Sequence, residues 1–202
     1  MQMVNEFVSL REKTLNSKFF RMNIAVYCSS SNRIADKYKN VAFEFGQWIA
    51  QNEHTLVYGG ATGGLMDAVA EGAASQNGTI IGVIAKAIIR MNRQSQLPTE
   101  LITVSSMSER KAVMKEKSDL FVVLPGSFGT LDEMLDIVAS GTVGEHKKPL
   151  IILNQDGFYN LFLEQLELIR NEKFMPQNET YKLLVAEDVK LCTELINMLK
   201  SQ

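Results

Sequence analysis

The sequence predicts an α/β protein, a doubly wound parallel sheet with helices on both faces. Three observations carry this. Short apolar runs recur along the chain, several nearly continuous in Val, Ile, Leu and Phe, as strands covered on both faces require. Longer amphipathic segments separate them, and strand–helix alternation of this kind builds parallel sheets. No repeat, low-complexity tract or Pro/Gly/Ser linker interrupts the pattern. With four prolines in 202 residues, one continuous domain is expected.

Taken in order, residues 1–22 read as an appended helical extension, leaving 23–202 as the single sheet-containing domain. Ile24–Cys28 (IAVYC) opens the sheet, and an amphipathic helix follows over Ile34–Gln51. Thr55–Tyr58 (TLVY) is the second strand, with Gly64–Gln76 as its return helix. Thr79–Val83 and Leu101–Val104 are the third and fourth strands, and the charged segment Ser108–Lys117 reads as the next helix. Leu120–Leu124 (LFVVL) leads into a helix over Thr130–Ser140. Leu150–Leu153 (LIIL) and helices over Phe158–Arg170 and Val189–Lys200 complete the chain.

Charge and composition narrow the function. Lys plus Arg number 21 against 23 Asp plus Glu, for a formal charge of -2 and a pI near 5.8. A chain that lives on phosphate-backbone electrostatics carries a basic excess, which argues against nucleic acid as the main partner and against single-strand DNA processing. No apolar run approaches the ~20 residues that cross a bilayer, and the first residues lack a signal-peptide stretch, so a cytoplasmic address without membrane contact is expected. Cys28 and Cys192 lie far apart, and His54 and His146 are the only histidines. No close His/Cys spacing suggests a metal site, and no metal is expected.

In open parallel sheets, ligands bind where strands end and helices begin. Three such junctions are rich in small and hydroxyl residues. Cys28-Ser29-Ser30-Ser31-Asn32 can offer hydroxyl and N–H donors to an anion, or cap the next helix. Gly59, Gly60, Gly63 and Gly64 remove Cβ atoms where backbone must turn tightly or approach a ligand, with a helix N-terminus behind them. This is neither a Walker A loop nor a clean G-x-G-x-x-G. The third junction runs Leu124-Pro125-Gly126-Ser127-Phe128-Gly129-Thr130-Leu131-Asp132-Glu133. Thr130 and Glu133 fit a capping box there. The same spacing also suits a phosphate at the helix start with Glu133, one turn in, facing a sugar. Upstream, Met107-Ser108-Glu109-Arg110-Lys111 reads either as a solvated charged face or as part of that site.

The pair PGSFGTLDE (Pro125 to Glu133) and MSERK (Met107 to Lys111) resembles the PGGxGTxxE and M-x-x-R-K motifs of the LOG ("Lonely guy") family. These are the cytokinin riboside 5'-monophosphate phosphoribohydrolases, whose bacterial members often carried the label "possible lysine decarboxylase". The similarity runs from Ile24 to about Ile169 and includes GGATGGLMDAVAEGA, SDLFVVLPG, HKKP and NQDGFYN. The resemblance implies a Rossmann-like fold, a homodimer, and hydrolysis of a nucleoside 5'-monophosphate of AMP or cytokinin riboside type to free base and ribose 5-phosphate. Arg110 and Glu133 match the catalytic pair. Gly126, Ser127, Gly129 and Thr130 match the phosphate loop, and Met107 and Lys111 match substrate contacts. Ser29, Gly59 and Gly60 join them as substrate-binding expectations from the other junctions.

The departures fall mostly around the pocket. Ser127 replaces the second glycine of PGG, and Ser108 a frequent His. Asn92 stands where plant members carry a substrate-contacting Glu, and Ala139-Ser140 where they carry Thr-Trp. Breaking a C1'–N bond builds oxocarbenium-like charge on ribose, which a carboxylate such as Glu133 can stabilise. Arg110 stays cationic at neutral pH and can hold phosphate or base, or keep Glu133 ionised. No cofactor is expected, since no signature for pyridoxal phosphate is apparent. The alternative of a different class is a carrier that binds a nucleotide or cofactor without turnover.

Overall fold

Each apolar run becomes a strand, and the strands join side by side in parallel. The computed structural model describes residues 21–175 and 181–199. Its elements are β1 (Asn23–Tyr27), α1 (Asp36–Gln51), β2 (Thr55–Tyr58), α2 (Gly64–Ser75), β3 (Thr79–Ala85) and the single turn α3 (Lys86–Ile89). There follow β4 (Glu100–Val104), α4 (Met107–Lys117), β5 (Leu120–Val123), α5 (Phe128–Thr142) and β6 (Leu150–Leu153). A 3-10 turn at Gln155–Gly157 leads to α6 (Asn160–Asn171), β7 (Leu183–Ala186) and α7 (Val189–Leu199). Among the described residues the sheet has seven strands in the order β4-β3-β2-β1-β5-β6-β7, every neighbouring pair parallel. The expected N-terminal helix lies outside the described residues. Of the 1–22 extension, Met22 is nonetheless buried, its N–H donating to His54 Nδ1 at 3.2 Å.

Alternation along β1 shows why both faces are apolar. Ile24, Val26 and Cys28 enter the core beneath α1, α2 and α7, while Ala25 and Tyr27 enter the core beneath α4 and α5. Two elements went unread in the sequence. β7 is an edge strand whose apolar LLVA run, as long as the LIIL of β6, is only half covered. α3 is one turn long, too short to show a period.

The chain steps outward from β1 through β2 and β3 to β4, then returns to lay β5 on the other side of β1. The crevice opened by this reversal lies at the carboxyl ends of β1 and β5. The loops carrying Ser29 and Ser127 border it.

Helices α1 and α2 pack backbone against backbone through glycine. A Cβ on Gly46 would stand 2.1 Å from the Val69 carbonyl oxygen, and one on Gly72 would stand 2.1 Å from that of Phe43. Helix propensity alone favours alanine by up to ~1 kcal/mol. Gly72→Ala is nevertheless expected to destabilise the protein by about 1–3 kcal/mol, the usual cost of overpacking. Urea unfolding measures this, and an unchanged midpoint would mean the helix pair can open to admit a methyl group.

Candidate active site

The charged run read as a solvated face is partly a helix start. Ser106 caps α4, its Oγ accepting from the Glu109 N–H at 3.1 Å. The Glu109 carboxylate accepts from the Ser105 N–H at 2.7 Å and also from the Ser105 hydroxyl, a variant of the capping box. With the helix anchored there, Met107, Arg110 and Lys111 share one face. Arg110 is buried. Its Nε donates to the Val83 carbonyl at 2.9 Å and its Nη1 to Glu133 Oε1 at 2.5 Å. The guanidinium lies over Gly59, where a Cβ would stand 1.7 Å from Nη2. Gly59 is bare to admit arginine.

α5 starts earlier than the motif suggests. Ser127 is its N-cap without a side-chain bond, and the Leu131 N–H makes the first bond, to the Ser127 carbonyl at 2.9 Å. Thr130 therefore lies inside the first turn, and Glu133 points to Arg110 rather than back along the helix. The capping box expected of Thr130 and Glu133 does not form. Thr130 folds over Gly126 instead, where a Cβ would stand 2.1 Å from its Oγ1. The opening N–H groups of α5, those of Phe128, Gly129 and Thr130, have no intrahelical acceptor and favour an anion. Ser127 is extended (φ -112), so its backbone does not demand the family's glycine.

The other two junctions brace one another. Ser29 donates its N–H to the Pro125 carbonyl (3.2 Å), and its own carbonyl accepts from Leu65 N–H (2.9 Å). No serine caps α1, whose N-cap is Ala35. The N–H groups of Thr62, Gly63 and Gly64 go to the Arg93 carbonyl (2.7 Å), Asp67 Oδ2 (2.6 Å) and Asn32 Oδ1 (2.8 Å). Gly60 takes a left-handed turn (φ 63). This glycine loop spends those donors internally, contrary to the expectation that it cradles phosphate.

Between these junctions lies a cleft of about 460 Å³, a size that suits a small-molecule ligand. Ser29, Met107, Arg110, Lys111, Ser127, Gly129, Thr130 and Glu133 line it, whereas Gly59, Gly60 and Gly126 sit behind the wall. Asn92 and Ala139-Ser140, expected at the wall, do not line it. Asn92 takes a left-handed turn after α3 (φ 55), Ala139 is exposed, and Ser140 turns toward His146. Sequence reasoning missed Met66, Ile88, Arg93 and Asp132 as lining residues. Of these, Asp132 lies inside the third motif and Met66 at the end of the glycine-rich junction, whereas Ile88 and Arg93 left no signal.

Burial pushes the Glu133 carboxyl above the ordinary carboxylate range, and Arg110 opposes that shift. The Asp132 carboxylate, 2.9 Å from Lys111 Nζ, holds that lysine protonated more firmly than usual. Burial likewise raises the Cys28 thiol, leaving it a poor nucleophile. Among the described residues no group of three His, Cys, Asp or Glu side chains is placed to hold a metal. What the cleft offers is an anion site at α5, a carboxylate one turn deeper, and a fixed cation beside it.

The model of the family described as "Possible lysine decarboxylase" matches residues 66–196. A probable cytokinin riboside 5'-monophosphate phosphoribohydrolase of Oryza sativa subsp. japonica is 36% identical over 85% of this chain and 75% of its own length. A cytokinin riboside 5'-monophosphate phosphoribohydrolase of Arabidopsis thaliana is 34% identical over 94% of this chain and 86% of its own. Among solved structures, the molybdenum cofactor binding protein of Rippkaea orientalis aligns with a TM-score of 0.68 at 22% identity, covering 89% of this chain and 97% of its own. The Moco carrier protein of Chlamydomonas reinhardtii gives 0.68 at 22%, covering 90% and 98%. At that identity the structures share the fold alone.

The buried pair yields a stability prediction. Arg110→Ala leaves a carboxylate without its cation in the interior, and a loss of about 3–5 kcal/mol is expected at neutral pH. In the variant, burial raises the Glu133 pKa further, so the folded state binds a proton that the unfolded state releases. The loss should therefore shrink as pH falls toward the carboxylate range. Equal losses at pH 5 and pH 8 in denaturant unfolding would show that Glu133 is not the group left unpaired.

Proposed function

Because this chain belongs to the LOG family, the one described as possible lysine decarboxylase, we propose that it hydrolyses the N-glycosidic bond of a nucleoside 5'-monophosphate, releasing base and ribose 5-phosphate. The observation that carries the proposal is the buried Arg110–Glu133 pair one turn from the open N-terminus of α5. The 5'-phosphate takes the N–H groups of Gly129 and Thr130, beside Ser127. That anchor brings the ribose over Glu133, so binding energy remote from the scissile bond positions it. As the C1'–N bond breaks, the carboxylate stabilises the positive charge growing on the sugar, or takes the proton of the attacking water. Water supplies the hydroxyl at C1', and the base departs with a proton. Arg110 holds Glu133 ionised against the effect of burial.

Lysine decarboxylation fits these residues poorly. A Schiff base needs a neutral amine, whereas Lys111, the lysine of the cleft, is held protonated by Asp132 and Asp136. The acidic balance of the chain also supports a small-molecule substrate over nucleic acid. No helix among the described residues is long and apolar enough to cross a membrane. The two buried free thiols suit the reducing cytoplasm.

A homodimer is part of the same proposal. Phe128 and Leu135 on the outer face of α5, and Val143 at its C-cap, are 90%, 46% and 76% exposed. Apolar area of this kind, along one helix and its C-cap, suits a second copy of the same chain. Light scattering should give a dimer, and Leu135→Glu should shift it toward monomer. A monomer at high concentration would remove this part.

For the reaction, purified protein without added metal should release base from nucleoside monophosphates and bind them better than the matching nucleosides. Glu133→Gln should lower turnover about a hundredfold or more in protein that is still folded at the assay temperature, and should also lower the melting temperature, because it leaves Arg110 a buried cation without its counter-charge. The raised carboxyl pKa means Glu133 gains its proton at higher pH than an ordinary carboxylate. The acid fall in rate should therefore lie above pH 4.3 and be lost in the variant. Tight binding with no base released from any monophosphate would point instead to a carrier.

A further inference from the structure

Among the described residues the cations lining the cleft are Arg93, Arg110 and Lys111, and each already holds other groups. Arg110 is joined to Glu133. Arg93 Nη2 donates to the carbonyls of Ser30 at 2.9 Å and Thr62 at 2.7 Å. Lys111 Nζ lies 2.9 Å from Asp132 Oδ1 and 3.4 Å from Asp136 Oδ1, so two carboxylates share one ammonium. Asp136 also meets Lys115 at 3.6 Å, and Lys115 is divided in turn with Glu145 at 3.4 Å. In this ladder between α4 and α5, three carboxylates stand against two lysines. The balance is negative, and it lies beside the helix start that reads as a phosphate anchor.

Helix geometry fixes where that charge falls. Residues three and four apart share a helical face, with Cβ atoms about 5–6 Å apart, and side chains tilt toward the N-terminus. Asp132 and Glu133 therefore both stand over Gly129, whose N–H belongs to the anchor. No atom lies within 4 Å of a Cβ built on Gly129, so the space around it is open. Glu133 is buried and matched by Arg110. Asp132 is different: its side chain is 64% exposed, it lines the cleft, and it has only a share of Lys111. A carboxylate placed there suits the helix dipole but repels a phosphate bound at the same helix end.

The proposed reaction gives that repulsion a use. Ribose 5-phosphate carries the same 5'-phosphate as the nucleotide, so the anchor grips substrate and product alike. Uniform binding of this kind lowers KM without raising kcat, and beyond a point it only retains the product. We infer that Asp132 is an affinity-setting residue, whose carboxylate weakens the α5 phosphate anchor and so lets ribose 5-phosphate leave the cleft. Lys111 is kept on α5 by Asp132 and Asp136 instead of closing on the phosphate. This inference rests on the hydrolytic reading and goes beyond it in assigning the control of product release.

The test is calorimetric binding of ribose 5-phosphate, with adenosine as the phosphate-free control, to the wild type, Asp132→Asn and Asp132→Glu. An exposed ion pair adds little to stability, so the variants should stay folded. Asp132→Asn should bind ribose 5-phosphate about three- to tenfold more tightly, the scale of one screened charge acting on a dianion at this separation. Asp132→Glu, with the charge kept, should match the wild type, and adenosine should bind all three alike. In ~1 M salt the difference should vanish, which a change of shape would not do. In activity assays the Asn variant should show a lower KM for monophosphates and inhibition by less ribose 5-phosphate. Weaker or unchanged binding of ribose 5-phosphate to Asp132→Asn would overturn the inference, as would a gain shared by adenosine. If no monophosphate yields base, the hydrolytic reading fails, while a salt-sensitive gain for ribose 5-phosphate still sustains the action of Asp132 on the anchor. If the wild type binds monophosphates no better than nucleosides, the anchor is absent and the inference falls with it.

Discussion

The Arg110–Glu133 ion pair is the contact around which the rest of the site is arranged. Taking two charges out of water costs several kcal/mol per ion, and that cost is met only where geometry and extra hydrogen bonds are complete. Here the guanidinium also donates to the Val83 carbonyl, and the strand end beneath it is Gly59, with no side chain to push it away. The pair thereby ties α4 and α5 to the ends of β2 and β3. It also leaves a carboxylate in a poorly solvated place whose charge depends on one neighbour. An apolar pair of similar volume could match its contribution to stability.

The loops around the pair divide the work. The β5–α5 junction keeps its helix N–H groups open, and Gly129 faces empty space. The β2–α2 junction, richer in glycine, closes its donors on Asn32, Asp67 and Arg93, and holds the β1 loop in place. Glycine admits close backbone approach in the second, whereas the first leaves its donors open. Two solved structures that share this fold are named as a cofactor binding protein and a cofactor carrier, and relatives closer in sequence are named as phosphoribohydrolases. A fold of this kind supplies a crevice and an anion site to either class. The carboxylate and its cation, on α4 and α5, are what an enzyme needs in addition.

Most strands, the crevice at their carboxyl ends and the motif-bearing helices were legible because each depends on residues near one another in the chain. Inner parallel strands are covered on both faces and so read as unbroken apolar runs, as Leu120–Val123 and Leu150–Leu153 do. The LLVA of β7 is an unbroken run of the same length, although as an edge strand it buries only part of its surface. The spacing of Arg110 with Lys111, and of Thr130 with Glu133, set which side chains share a helical face.

What each of those groups does was decided by atoms far away in sequence. Glu133 could cap its helix or pair with a cation, and only the docking of α4 beside α5 chose between them. Gly59 and Gly129 are alike as sequence, yet one faces a guanidinium and the other open space, because a glycine's role is set by what approaches it. Arg93 left no local signal. It enters the cleft because β3 lies two places from β1 in the sheet, a neighbourhood that strand pairing creates. The amino-acid sequence by itself determined the layers, the location of the crevice and the residue types that reach it. Tertiary structure decided which charges are paired, which donors remain open and which face a ligand, since pairing and desolvation are properties of assembled surfaces.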